Sequence, residues 1–244
     1  MIRRIPLAWL AAALLCAASA CDAASSEARA GRSGGKILRY LALGDSYTIG
    51  EGVEPDERWP HRLAAALAAE GVPLASPPEI VARTGWTTDE LWAAIEEAKP
   101  QGSYDLVTLL IGVNDQYRGR GVEAYRPEFD RLLKKAIEFA GGRPERVLVL
   151  SIPDWGVTSF AATEKRFAPE RIAREIDAYN AAAKAMSERA GAAFLDVTAA
   201  TRAAGRKAGE LVADGLHPSG LQYARWATAA LPFARRALAV PAAR

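Results

Sequence analysis

Short apolar segments that alternate with segments of helical period constrain this chain more than any other feature of its sequence. Residues 36–43 (KILRYLAL), 105–111 (DLVTLLI) and 146–152 (RVLVLSI) are dominated by large aliphatic side chains. Such runs suit strands buried on both faces, because a strand with one wet face alternates apolar and polar residues. Two weaker runs, 79–83 (EIVAR) and 192–197 (AAFLDV), bring the set to about five strands. Between them lie stretches with apolar residues at helical spacing, at 59–71, 87–99, 125–140 and 169–191, and a last one at 219–239. Thr87 and Glu90 have the spacing of a capping box, and Ser219 and Gln222 repeat it at the last helix. The alternation predicts an α/β fold, a parallel sheet of about five strands with helices on both faces. In such sheets ligands bind outside the carboxyl ends of the strands.

The length of 244 residues suits one well-buried domain and is short for two. No internal repeat or second composition break appears after residue 36. The N-terminus differs from the rest. Residues 1–6 (MIRRIP) carry two arginines, and residues 7–20 (LAWLAAALLCAASA) are apolar and small. This is the n-region and h-region pattern of an export signal, read here as residues 1–20. The apolar run is shorter than the roughly 20 residues that span a bilayer. Cys21 stands where a bacterial lipoprotein carries its lipid-acceptor cysteine, and ordinary cleavage after Ala20 or Ala24 is the alternative. Residues 21–35, small, polar and glycine-rich, read as a flexible tether, and the domain as 36–244. Both cysteines, Cys16 and Cys21, precede the domain, which therefore has neither a disulfide nor a thiol nucleophile. The net charge of +2 comes from 31 basic and 29 acidic residues without a long run of one sign. That distribution argues against a nucleic-acid surface, which needs a clustered basic face.

The chemistry collects at the predicted strand ends. Gly44-Asp45-Ser46 follows the first strand, Thr84-Gly85-Trp86 the second, and Gly112-Val113-Asn114-Asp115 the third. Asp214-Gly215-Leu216-His217 precedes the last helix. A serine hydroxyl is a weak nucleophile and needs a base within hydrogen-bond reach. Histidine is the side chain suited to that task near neutral pH. Asp214, three residues before His217, can fix the imidazole tautomer and orientation. The oxyanion of a tetrahedral intermediate needs donors. The N–H groups of Ser46 and Gly85 and the side-chain amide of Asn114 are the candidates. Asn114 can equally cap a turn, and Gly85 can be required for a positive φ. Trp86 either lines the substrate pocket or belongs to the core.

These four motifs, in this order and spacing, resemble the SGNH/GDSL hydrolase family (GDSL-type esterases and lipases), over about residues 36–239. The resemblance implies a flavodoxin-like three-layer α/β/α sandwich. It also implies a Ser46-His217-Asp214 triad, Gly85 and Asn114 as oxyanion donors, and ester hydrolysis without a cofactor. No key motif position departs from the pattern. The G-x-S-x-G elbow of α/β-hydrolases does not fit, since Thr48 takes the place of its second glycine. A dinucleotide loop of the G-x-G-x-x-G type is absent after the first strand. His61 receives no role, and a metal site joining it to His217 and Asp45 lacks ligand spacing.

The expectation is an exported serine esterase, periplasmic or anchored to the membrane through Cys21, acting as a monomer on small, short-chain acyl esters. Lysophospholipase-like, thioesterase-like or carbohydrate O-acetyl esterase activity is the nearest variant. An acyltransferase and a non-catalytic envelope binding protein are the alternatives of another class.

Overall fold

The computed structural model describes residues 36–239. The expected export signal at 1–20, the tether at 21–35 with Cys21, and residues 240–244 lie outside the described residues. The chain divides into Met1–Lys36 and Ile37–Arg244, and every element below belongs to the second unit. Among the described residues, no helix is long and apolar enough to cross a membrane.

Five strands form one sheet in the order β2-β1-β3-β4-β5. They are β1 (Tyr40–Gly44), β2 (Glu79–Ala82), β3 (Leu106–Leu110), β4 (Val147–Leu150) and β5 (Ala193–Leu195). Every neighbouring pair is parallel. Every residue of β1, β3 and β4 is buried, as their continuous apolar sequence requires. The outer strands β2 and β5 are only partly covered. Their weaker sequence signal has that cause, because an edge strand need not be apolar on both faces.

The helices are α1 (Ser46–Ile49), α2 (Trp59–Ala69), α3 (Thr88–Ala98), α4 (Val113–Tyr117), α5 (Val122–Phe139), α6 (Ser159–Thr163), α7 (Pro169–Ala190), α8 (Thr198–Ala204) and α9 (Gly220–Ala237). Parallel strands are joined by right-handed crossovers. The step from β1 to β2 runs opposite to the steps from β3 through β4 to β5. The crossovers therefore put α2 on one face, where it packs with α9, and α5 on the other, with α3 and α7. This is the three-layer sandwich that the sequence predicts.

Two details differ from the sequence reading. The short helices α1, α4, α6 and α8 were not anticipated, because four to seven residues are too few to show a helical period. The expected box of Ser219 and Gln222 does not form. Ser219 Oγ instead donates to the carbonyl of Gly209 at 2.6 Å, and Gln222 Nε2 to that of Glu210 at 2.6 Å. Both side chains tie α9 to the loop before it. The Thr87 cap does form, with the Thr87 N–H donating to Glu90 Oε2 at 2.9 Å.

The strand order reverses at β1, which has β2 on one side and β3 on the other. Chains leaving β1 and β3 turn to opposite faces, and in sheets of this kind the carboxyl edge at such a reversal is where ligands bind. The sheet beneath is tightly filled. Leu109, in the middle of β3, is fully buried and pairs in register with Leu43 and Val149. Leu109→Ala is expected to destabilise the fold by about 2–5 kcal/mol, read as a lower urea midpoint with an unchanged slope.

Candidate active site

The turn out of β1 is built for closeness. A Cβ at Gly44 would lie 2.5 Å from the carbonyl oxygen of Leu110 on β3 and would collide with the Thr48 side chain. Glycine at this position lets the chain fold directly into α1. Asp45 caps that helix, its Oδ1 accepting from the Tyr47 N–H at 3.0 Å. Ser46 is the first helical residue and is nearly buried. An N–H at the first position of a helix has no intrahelical acceptor and remains available to a ligand. Trp59, fully buried, holds α1 from below through Nε1, which donates to the Tyr47 carbonyl at 3.1 Å.

The second part of the site is the loop before α9. Leu211 and Pro218 bridge across it, and the Val212 N–H donates to the His217 carbonyl at 3.0 Å. The tight turn so formed brings Asp214 back onto His217. Asp214 Oδ2 lies 2.6 Å from His217 Nδ1, while its Oδ1 accepts from the N–H groups of Leu216 and His217 at 2.8 and 3.0 Å. Partial burial works to raise the Asp214 pKa, but the hydrogen bonds from the His217 ring and the two N–H groups outweigh it. The carboxyl is held below its ordinary range. An ionised carboxylate on Nδ1 assigns the proton of neutral imidazole to that nitrogen and leaves the lone pair on Nε2. His217 is buried to 7% exposure and packs on Tyr47, with ring centroids 5.6 Å apart. The histidine thus stands beside the residue that follows Ser46. Ser46 and His217 are not hydrogen-bonded in this structure. A nucleophile and base that act together are often apart before substrate binds.

The third part is the turn after β2, gripped from α4 at three points. Arg118 Nη2 donates to the Gly85 carbonyl at 2.7 Å, and Asn114 Nδ2 donates to the Trp86 carbonyl at 2.9 Å. The buried carboxylate of Asp115 accepts from the N–H and hydroxyl of Thr88 at 3.0 and 2.9 Å. Burial pushes the Asp115 pKa up, against the hydrogen bonds of Thr88 and the charge of Arg120. Gly85 has φ +88°, and the space where its Cβ would stand is open. Backbone conformation, not crowding, demands glycine there. Trp86 is half-buried and packs against the core. On the far side of the turn, the Thr84 hydroxyl donates to the carboxylate of Glu51, just beyond α1.

Sequence spacing anticipates the pairing of Asp214 with His217, but not the contact of Asn114 with the turn that holds Gly85 and Trp86. It missed Tyr47 as the wall behind the imidazole, and Arg118 and Asp115 as anchors of the turn. Asp115 was visible in the motif, but only the fold shows what its carboxylate holds. Nothing in the sequence marks Arg118, whose partner is a backbone carbonyl 33 residues away.

A model of the GDSL-like lipase/acylhydrolase family matches residues 42–225. Among solved structures, that of TesA aligns with a TM-score of 0.65 at 22% identity, over 82% of this chain and 100% of its own. The lipase/acylhydrolase from Enterococcus faecalis aligns at 0.60 and 21% identity, over 80% of this chain and 94% of its own. Axe2, an acetylxylan esterase from Geobacillus stearothermophilus, aligns at 0.59 and 18% identity, over 85% and 96%. At these identities the likeness is one of fold. The curated proteins yield no match.

The anchors differ in burial and should differ in worth. Asp115→Ala leaves two donors of Thr88 unpaired and is expected to cost about 1–3 kcal/mol for each. Arg118→Ala removes an exposed ion pair with Glu90 and an exposed hydrogen bond to the Gly85 carbonyl, and is expected to cost about 0–1 kcal/mol. Urea denaturation of both variants checks the order, and equal losses would contradict it.

Proposed function

The chain belongs to the GDSL-like lipase/acylhydrolase family, and on that premise we propose that it is a serine esterase working through Ser46, His217 and Asp214. The observation that carries the reading is the 2.6 Å pair of His217 Nδ1 and Asp214 Oδ2, set beside the helix that Ser46 begins. An imidazole with its proton fixed on Nδ1 offers Nε2 as a base.

In this reading Ser46 Oγ attacks the ester carbonyl and passes its proton to His217 Nε2. Asp214 keeps the ring oriented and stabilises the imidazolium. The N–H groups of Ser46 and Gly85 and the second N–H of the Asn114 amide receive the oxyanion. Asn114 has one amide hydrogen committed to Trp86, which fixes the direction of the other. His217 then protonates the leaving alcohol, and water resolves the acyl-enzyme by the same route. Trp86 flanks the oxyanion turn and borders the substrate in this proposal.

The substrate proposed is a short-chain carboxylic ester. Thioesters, lysophospholipids and acetylated carbohydrates are the variants to compare, and the similar structures include an acetylxylan esterase. Export through residues 1–20 and lipid on Cys21 belong to the same proposal. The mass of the mature N-terminus distinguishes lipidation from cleavage after Ala20 or Ala24.

The test is hydrolysis of p-nitrophenyl esters from acetate to palmitate. Ser46→Ala is expected to lower kcat by roughly 10⁴–10⁶-fold, Asp214→Asn by roughly 10³–10⁴-fold and Asn114→Ala by about 10²–10³-fold. Equal rates for the parent and Ser46→Ala would rule out Ser46 as the nucleophile. An added alcohol acceptor reveals acyl transfer as a new ester product. A parent that neither cleaves esters nor reacts with an organophosphonate would point to the binding protein instead.

A further inference from the structure

The proposed triad makes no use of the carboxyl group next to Ser46. Asp45 is completely buried. Its Oδ1 accepts from the Tyr47 N–H, and its own backbone N–H adds a weaker stabilisation of the charged form. Its Oδ2 is buried as well and has no hydrogen-bond partner among the described residues. No lysine, arginine or histidine there is bonded to either oxygen. The ionisable groups facing it are Asp115 from α4 and Tyr47, Tyr125 and Tyr223 from α1, α5 and α9. None is a cation, and Asp115 repels a second negative charge.

A carboxylate in that setting would be a buried charge with one oxygen unpartnered and no counter-charge, an arrangement that proteins avoid by taking up a proton. It would also stand one residue from the Ser46 N–H, where the proposed reaction gathers negative charge. A fixed anion in a poorly solvated site opposes that charge directly. We propose that Asp45 works as a neutral carboxylic acid, a positioning residue that caps α1 for Ser46 without placing a negative charge at the oxyanion site. The mechanistic half of this inference rests on the reading of Ser46 as nucleophile; the protonation half does not. Burial also pushes the Asp45 pKa up to about 8.

Two variants test it. Asp45→Asn keeps the shape and the cap but cannot ionise, and Asp45→Ala removes the cap. The sign for stability follows from linkage. An aspartate in the unfolded chain releases its proton near pH 4, whereas Asp45 in the folded chain keeps it to about pH 8. The stability that Asp45 lends is therefore complete at acid pH and drains away between those values. The Tm of Asp45→Asn minus that of the parent should widen from pH 4 to about pH 8 and then stay level. A difference that does not change with pH would overturn the neutral acid, whether or not any ester is cleaved.

Activity tests the positioning role. Asp45→Ala is expected to lower kcat at pH 7 by roughly ten- to a hundred-fold with KM little changed, and Asp45→Asn to restore it. Above pH 8 the kcat of the parent should fall about tenfold per pH unit as Asp45 ionises, and that of Asp45→Asn should not. The same alkaline fall in both would refute the role. If Asp45→Asn does not fold, infrared spectra of the parent and Asp45→Ala decide. A protonated-carboxyl C=O band at pH 6 in the parent only supports the proposal, and its absence from the parent refutes it. Loss of all esterase activity in the parent would instead count against Ser46, leaving the Tm comparison to judge Asp45.

Discussion

The site hangs on the parallel pairing of β1 with β3. Register sets Gly44 opposite Leu110, so the chains leave the sheet at the same level. One becomes α1, which Ser46 begins, and the other becomes α4, which carries Asn114. The closeness leaves no room for a Cβ at Gly44. A one-residue slip would also turn buried aliphatic side chains to the other face of the sheet. The core that stabilises the fold and the spacing that aligns the site are therefore the same constraint.

From that base the site is assembled by polar groups that reach across chain distance. Asn114, Asp115 and Arg118 hold the turn from Gly85 to Thr88 by its carbonyls and by the donors of Thr88. The turn contributes little apolar packing around Gly85, where the space is open. At Gly85 the geometry is therefore set by hydrogen bonds, whereas Trp86 packs on the core and Thr87 and Thr88 are buried. In the proposed reaction stiffness there has a value, because donors fixed in advance need not reorganise when charge develops.

Three aspartates near the site illustrate how surroundings assign charge. Asp214 is half-exposed and takes three hydrogen bonds, which hold it ionised against His217. Asp115 is buried, but Thr88 and Arg120 partner it. Asp45 is buried with its Oδ2 unpartnered and no cation beside it. The same side chain can thus orient a base, anchor a turn or cap a helix, according to what meets its oxygens.

The sequence by itself determined the sheet, the order of its motifs and the family likeness. Burial on both faces leaves a continuous apolar run in strands such as 106–110, and a helix longer than two turns leaves its period, and both are local records. The pairing of Asp214 with His217 was legible for the same reason, since three residues of one turn separate them. Tertiary structure alone decided the rest. Helices of four or five residues carry no period, so α1 and α4 were invisible as helices. The Ser219 and Gln222 side chains bond carbonyls of the preceding loop instead of the N–H groups of the first turn of α9. Arg118 met a carbonyl 33 residues away, and burial left Asp45 Oδ2 without a partner. A hydrogen bond to a distant backbone atom or a lost solvation shell depends on where the chain folds back, and no short stretch of sequence records that position.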